Sequence, residues 1–251
     1  MPASLPKNEH VRVIETLGPT AQGFSFALEE AQEESEQRIQ LRALHLPDYG
    51  PIYADWLGNE VKRRIAAGRN QLVARAVGMR KAVDLKILDC TAGLGRDSFT
   101  LAALGAQVTM TERHPLIFAL LQDAKKRVEN SDQYAAAIKR VELLNCDAVD
   151  VINREAWDVI YLDPMYEHQG RTALPQKEMQ IFHDLTVGSP DATPLLIAAR
   201  NSSSKRTVVK RAAKAECLGN IKPDLELAGS QARFDIYLKK EPIGMGKFLI
   251  R

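Results

Sequence analysis

The chain has 251 residues, 45% of them hydrophobic and 26% charged, enough apolar sequence to fill one large domain or two unequal ones. A formal net charge of +2 is too small to argue for nucleic acid by itself, so any such role must rest on local patches. Three cysteines without CxxC or Cys/His spacing argue against a disulfide framework or a zinc site. No apolar run approaches the ~18 residues of a membrane span, and Met1–Lys7 lacks the apolar core of a signal peptide, so a cytoplasmic protein with no membrane or metal partner is expected.

Taken in order, residues 1–58 read as a small β-rich N-terminal subdomain and residues 59–251 as the main domain. Val11–Thr16 and Phe24–Leu28 alternate apolar and polar side chains around the turn Leu17-Gly-Pro-Thr20, and Ile39–Leu44 supplies a third strand. The acids Glu29, Glu30, Glu33, Glu34 and Glu36 read as a solvated loop or helix end. A helical, basic stretch follows from Glu60 to Met79, with Asn59 as its expected cap and Gly68 as its expected break. Its Lys62, Arg63, Arg64, Arg69 and Arg75, with Arg80 and Lys81, are candidates for RNA phosphates.

From Lys86 the pattern alternates strand and helix, the signature of a parallel sheet with crossover helices. Lys86–Asp89 ends in a turn carrying Gly93 and Gly95, and a helix starts near Asp97. Glycines let backbone approach a ligand, and the helix N-terminus offers unpaired N–H groups. The third glycine of the dinucleotide fingerprint is replaced by Ser98, and Asp89 and Asp97 flank the loop. Two acids repel a pyrophosphate but suit a cation such as S-adenosylmethionine; a nicotinamide-dependent dehydrogenase is disfavoured on the same grounds. Ala106–Glu112 is the next strand, and Glu112 follows Gly93 by about 20 positions, the separation of a ribose-gripping carboxylate. After a helix from Pro115 to about Glu129, Val141–Asp147 is a third strand. Asp89, Glu112 and Asp147, at three successive strand ends, converge on the sheet edge where open α/β folds bind ligands.

The fourth strand ends in Asp163-Pro164-Met165-Tyr166, which resembles the Asp/Asn-Pro-Pro-aromatic motif of amino-group methyltransferases, with Met165 in place of the second proline. The chemistry explains these residue types. An exocyclic base amine delocalises its lone pair into the ring; a carboxylate and a proline-flanked carbonyl accept its N–H bonds, and an aromatic ring stacks on the base. Glu167–Thr172 reads as a mobile substrate loop, with His168 as an RNA contact or a solvated residue, and a helix covers about Gln176–Val187. Thr193–Arg200 is ambiguous between strand and helix, Lys205–Arg211 reads as a strand with basic ends, and Asp224–Lys239 as a hairpin across Gly229-Ser230.

Several blocks together resemble the ribosomal RNA small subunit methyltransferase J family: Asp89–Phe99, Glu112-Arg113, Tyr161–Tyr166, Thr207–Arg211 and Arg233–Tyr237, with Ile52–Gly58 leading in. The resemblance implies a Rossmann-like, seven-stranded class I α/β methyltransferase sheet ending in an antiparallel hairpin, with Pro194–Ser204 helical. It implies S-adenosylmethionine contacts at Arg96-Asp97, Glu112-Arg113, Asp147-Ala148 and Asp163, although Asp147-Ala148 stands where the family has serines. It also implies methylation of a guanine N2 in 16S ribosomal RNA, free or in the small subunit. Two rivals stand beside it: an amine methyltransferase acting on DNA or protein, and a non-catalytic RNA-binding assembly factor.

Overall fold

A computed structural model of the chain describes residues 9–33, 36–82, 84–164, 175–186, 191–230 and 232–239. The N-terminal sheet is antiparallel, in the order β1 (Glu9–Leu17), β2 (Phe26–Glu33), β3 (Glu36–Ala43). Four acids of the cluster correct their expectation: Glu29, Glu30 and Glu33 lie in β2 and Glu36 in β3, rather than in a loop or helix end, while Glu34 lies outside the described residues. Polar cross-strand partners make this possible. Glu29 is buried and accepts hydrogen bonds from Gln40 Nε2 at 2.9 Å and Arg42 Nε at 2.8 Å, so its charge is compensated inside the sheet.

Two short helices, α1 (Asn59–Ala66) and α2 (Leu72–Val77), lead into the second sheet. Gly68, at φ +64°, separates them as expected, whereas Asn59 is the first helical residue and Gly58 takes the cap.

The second sheet has seven strands: β4 (Lys86–Asp89), β5 (Gln107–Thr111), β6 (Val141–Leu144), β7 (Val159–Leu162), β8 (Arg206–Ala212), β9 (Leu225–Ala228) and β10 (Ala232–Leu238). Their order is β6-β5-β4-β7-β8-β10-β9. The first five run parallel, and β10 is antiparallel to both neighbours, β8 and β9. This is a Rossmann-like, seven-stranded sheet with a terminal antiparallel hairpin, as the resemblance implies. Helices α3 (Arg96–Ala103), α4 (Pro115–Glu129), α5 (Ala135–Ile138), α6 (Val149–Ile152), α7 (Pro175–Leu185) and α8 (Thr193–Asn201) complete it. The ambiguous Thr193 segment is thus helical, with Pro194 in its first turn.

Ile87, Leu88 and all of Val159–Leu162 are buried, as strands covered on both faces require. From β4 the chain steps outward to β5 and β6, then returns to β7 on the other side. The carboxyl ends of β4 and β7 therefore frame a topological switch point. Phe26, Leu41, Ile52 and Trp56 of the N-terminal region join the same apolar core as Phe99 and Leu120.

Candidate active site

The glycine turn is built from both sides. Asp89 ends β4 and accepts hydrogen bonds from the Thr91 amide at 3.0 Å and Ser98 Oγ at 2.5 Å, while its own carbonyl accepts from Thr111 Oγ1 at 3.0 Å. Ser98, fully buried at the place of the missing third glycine, therefore closes the turn onto the strand. Burial pushes the Asp89 pKa up to about 7. The two glycines work differently. Gly95, at φ +70°, leaves no room for a side chain: a Cβ there would stand 2.8 Å from Trp56, which stacks on Phe99 and donates to the Leu94 carbonyl at 2.8 Å. Gly93, at φ +54°, has nothing within 4 Å of its Cβ position. Gly95 thus serves packing, and Gly93 leaves the turn open towards the cleft.

A cleft of about 1120 Å³ runs along the strand ends, its lining including Gly93, Glu112, Asp147, Asp163, Lys210 and Asn220. Glu112, just past β5, accepts from the Gly93 amide at 3.2 Å and the His114 amide at 2.8 Å. Burial raises its pKa, and its carboxylate retains acceptor lone pairs for further donors. Asp147 lies beyond the end of β6 at Leu144, outside the strand predicted to contain it, and accepts from the Val149 amide at 3.0 Å. Ala148 is buried beside it, and Arg113 is exposed at the cleft rim. Arg96 is bound by both its terminal nitrogens to Glu178 of α7, at 2.8 and 2.7 Å.

The centre of the cleft is ionic. Asp97, at the start of α3, accepts from Tyr161 Oη at 2.8 Å, from Lys210 Nζ at 2.9 Å and from Arg64 Nη1. Burial alone would raise its pKa, but the Lys210 ammonium and Arg64 guanidinium hold it at about 2. Lys210 Nζ also donates to Asp163 Oδ2 at 2.8 Å, and the Asp163 amide donates to Thr91 Oγ1 at 2.6 Å. Depth in the cleft raises the Asp163 pKa against the lowering pull of Lys210, and Asp97 raises it further.

The structure thus brings Asp89, Gly93, Asp97, Glu112, Asp147, Asp163 and Pro164 to one cleft. It corrects the electrostatic expectation at the turn, because Asp97 is matched by two cations and does not present a bare negative charge. Arg64, expected to face RNA, instead points to Asp97 and Glu60, and Arg69 donates to the Leu104 carbonyl. Met165, Tyr166 and His168 lie outside the described residues. Lys210, Arg64, Tyr161, Thr91 and Ser98 were missed as site residues. The available signal was Lys210 itself, a lysine following Val208-Val209 in an inner strand, where a charge must meet an opposite one.

A family model described as "Putative SAM-dependent methyltransferase" matches residues 20–239. A protein of Pseudomonas fluorescens (strain Pf0-1), named ribosomal RNA small subunit methyltransferase J, is 40% identical over 245 residues, covering 90% of this chain and 94% of that one. A protein of the same name from Haemophilus influenzae (strain 86-028NP) is 39% identical over 210 residues, covering 82% of each. A crystal structure of a SAM-dependent methyltransferase from Neisseria gonorrhoeae superposes with a TM-score of 0.63 at 31% identity, covering 85% of this chain and 83% of that one.

Proposed function

The chain belongs to the ribosomal RNA small subunit methyltransferase J family of S-adenosylmethionine-dependent methyltransferases, and on that premise we propose that it methylates the exocyclic N2 of a guanine in 16S ribosomal RNA. The substrate is the free RNA or the small subunit, in the cytoplasm; among the described residues no helix is long and apolar enough to cross a membrane. The open Gly93 turn and the acceptor capacity of Glu112 fit the donor's ribose and methionine portions.

S-adenosylmethionine supplies an electrophilic methyl group on a sulfonium. In our assignment Glu112 accepts from the ribose hydroxyls, Asp147 from the adenine amino group, and Asp97 with Gly93, Gly95 and Arg96 shapes the methionine end. Arg113 and Ala148 flank the nucleoside, and Asp89 holds the turn. Asp163 and the Pro164 region accept the N–H bonds of the substrate amine, with Met165 and Tyr166 packing the base. Bound there, the donor would give its methyl to the amine nitrogen and depart as the neutral thioether, and the amine proton would then pass to water. The chain's contribution is positioning at near-attack distance, an effect that reaches several kcal/mol.

The observation that carries this assignment is the direct link between the two motifs: the Asp163 amide is bonded to Thr91 Oγ1 in the turn at 2.6 Å. Asp163→Ala should reduce methyl transfer at least ~100-fold, the lower end for a positioned polar group, with the circular-dichroism melt retained. A variant that methylates 16S rRNA at the wild-type rate would remove Asp163 from the reaction.

The division at residue 58 is likewise our assignment, with residues 1–58 as a subdomain docked on the methyltransferase domain through Trp56 and β3.

A further inference from the structure

Lys210 does more than neutralise charge. It sits on β8, the strand beside β7, with its side chain 26% exposed, and its Nζ lies 2.9 Å from Asp97 Oδ2 and 2.8 Å from Asp163 Oδ2. Asp97 opens α3 behind the glycine turn, and Asp163 follows the end of β7. One ammonium therefore joins the element assigned to the methyl donor to the carboxylate assigned to the acceptor amine.

Asp97 is fixed independently by Arg64 of α1 and by the Tyr161 hydroxyl of β7, so it serves as a rigid anchor for Lys210. Among the described residues, the charged and titratable groups that act on Asp163 include Lys210 from β8, Asp97 from α3, Arg64 from α1, Asp89 from β4 and Tyr161 from β7. Of these, Lys210 is the cation bonded to Asp163; Arg64 reaches it through space, its guanidinium being bonded to Asp97 and Glu60. Remove Lys210, and Asp163 faces the Asp97 carboxylate without a bonded cation between them. A protonated Asp163 becomes a hydrogen-bond donor on one oxygen and competes poorly for an amine N–H.

We propose that Lys210 is a positioning residue for methyl transfer, holding Asp163 ionised and oriented towards the substrate amine by tying it to Asp97. Lys210 engages Oδ2, and the carboxylate retains acceptor lone pairs for the amine. The inference rests on Asp163 being the amine acceptor.

The test is the pH profile of kcat for K210M, K210Q and K210R, measured on the full chain with S-adenosylmethionine and 16S rRNA, with D163A as the control. In K210M and K210Q the acid limb should move up by about 1–3 pH units, the effect of removing an opposite charge in contact. Below it, kcat should fall about tenfold per pH unit, while the KM for S-adenosylmethionine changes less. K210R should restore the wild-type limb. A loss equal at every pH and not rescued by arginine would reduce Lys210 to a structural role and overturn the proposal. In the unmodified protein, the Asp163 carboxyl carbon shift should report an ionised group at neutral pH; a protonated one there would also overturn it, whether or not the variants fold. If D163A is inactive while the K210M profile matches wild type, the Lys210 proposal alone fails. If D163A is fully active, the assignment of Asp163 itself fails.

Discussion

Asp89 ends β4 with 2% of its surface exposed, in hydrogen bonds with the Thr91 amide and Ser98 Oγ. Its pKa, raised by burial to about 7, has a direct thermodynamic consequence. Between the unfolded value near ~4 and the folded value, the native state binds more protons than the unfolded chain, so stability falls as pH rises through that window. Asp97, held down at about 2, acts in the opposite sense: its contribution is complete above ~4 and is lost as pH falls towards 2. Asparagine at position 89 can accept from the Thr91 amide through Oδ1 and donate to Ser98 Oγ through Nδ2, without a charge. Asp89→Asn should therefore flatten the decline in unfolding free energy between about pH 4 and 7, which reaches at most ~4 kcal/mol at ~1.4 kcal/mol per pH unit. Denaturant titrations across that range check it, and parallel curves for the two proteins would refute it. The same residue marks a limit of sequence reasoning. The acid at the strand end and the serine in a glycine's place were both visible, but their bond to each other depends on how the turn closes in three dimensions.

At the scale of elements, α7 is held from two sides. Its Glu178 grips Arg96 at the start of α3, and its Asp184, 4% exposed, meets His45 Nε2 of the N-terminal region at 2.9 Å. His45 is itself packed against Phe24 and Phe26. A buried carboxylate that loses a partner retains its desolvation cost, so His45→Ala should destabilise the protein by ~1–3 kcal/mol. In a chain of this size the fall in Tm is about 2–4 °C per kcal/mol, measurable by calorimetry; an unchanged Tm would show that the pair adds nothing net. The elements themselves were largely legible. The run of strand and helix patterns from Lys86, the break at Gly68 and the hairpin across Gly229-Ser230 all follow from periodicity and turn chemistry, and the structure contains each. Periodicity failed where charge hid it: Glu29 reads as solvated because its partners Gln40 and Arg42 stand on another strand, as do Gln37 and Arg12, the partners of Glu30. The pair Lys210–Asp163 was hidden for a related reason, since it joins neighbouring parallel strands far apart in sequence.

For the whole molecule, the methyltransferase sheet supplies a cleft at its switch point, and the N-terminal sheet shares the core behind it. Trp56 makes that sharing specific, since it supports the Leu94 carbonyl within the glycine turn while stacking on Phe99. The chain is thus organised around one strand-end cleft: the glycine turn that we assign to the donor, a row of acids beside it, and Asp163, joined to the turn through Thr91 and to Asp97 through Lys210. Family membership settles the donor as S-adenosylmethionine. The acceptor is our central claim. Incubation of the protein with methyl-labelled S-adenosylmethionine and unmodified 16S rRNA or small subunits, followed by nucleoside digestion and mass analysis, tests it most directly. We expect the label in N2-methylguanosine from the 16S RNA; label in another nucleoside, or only on DNA or protein offered in competition, would contradict it.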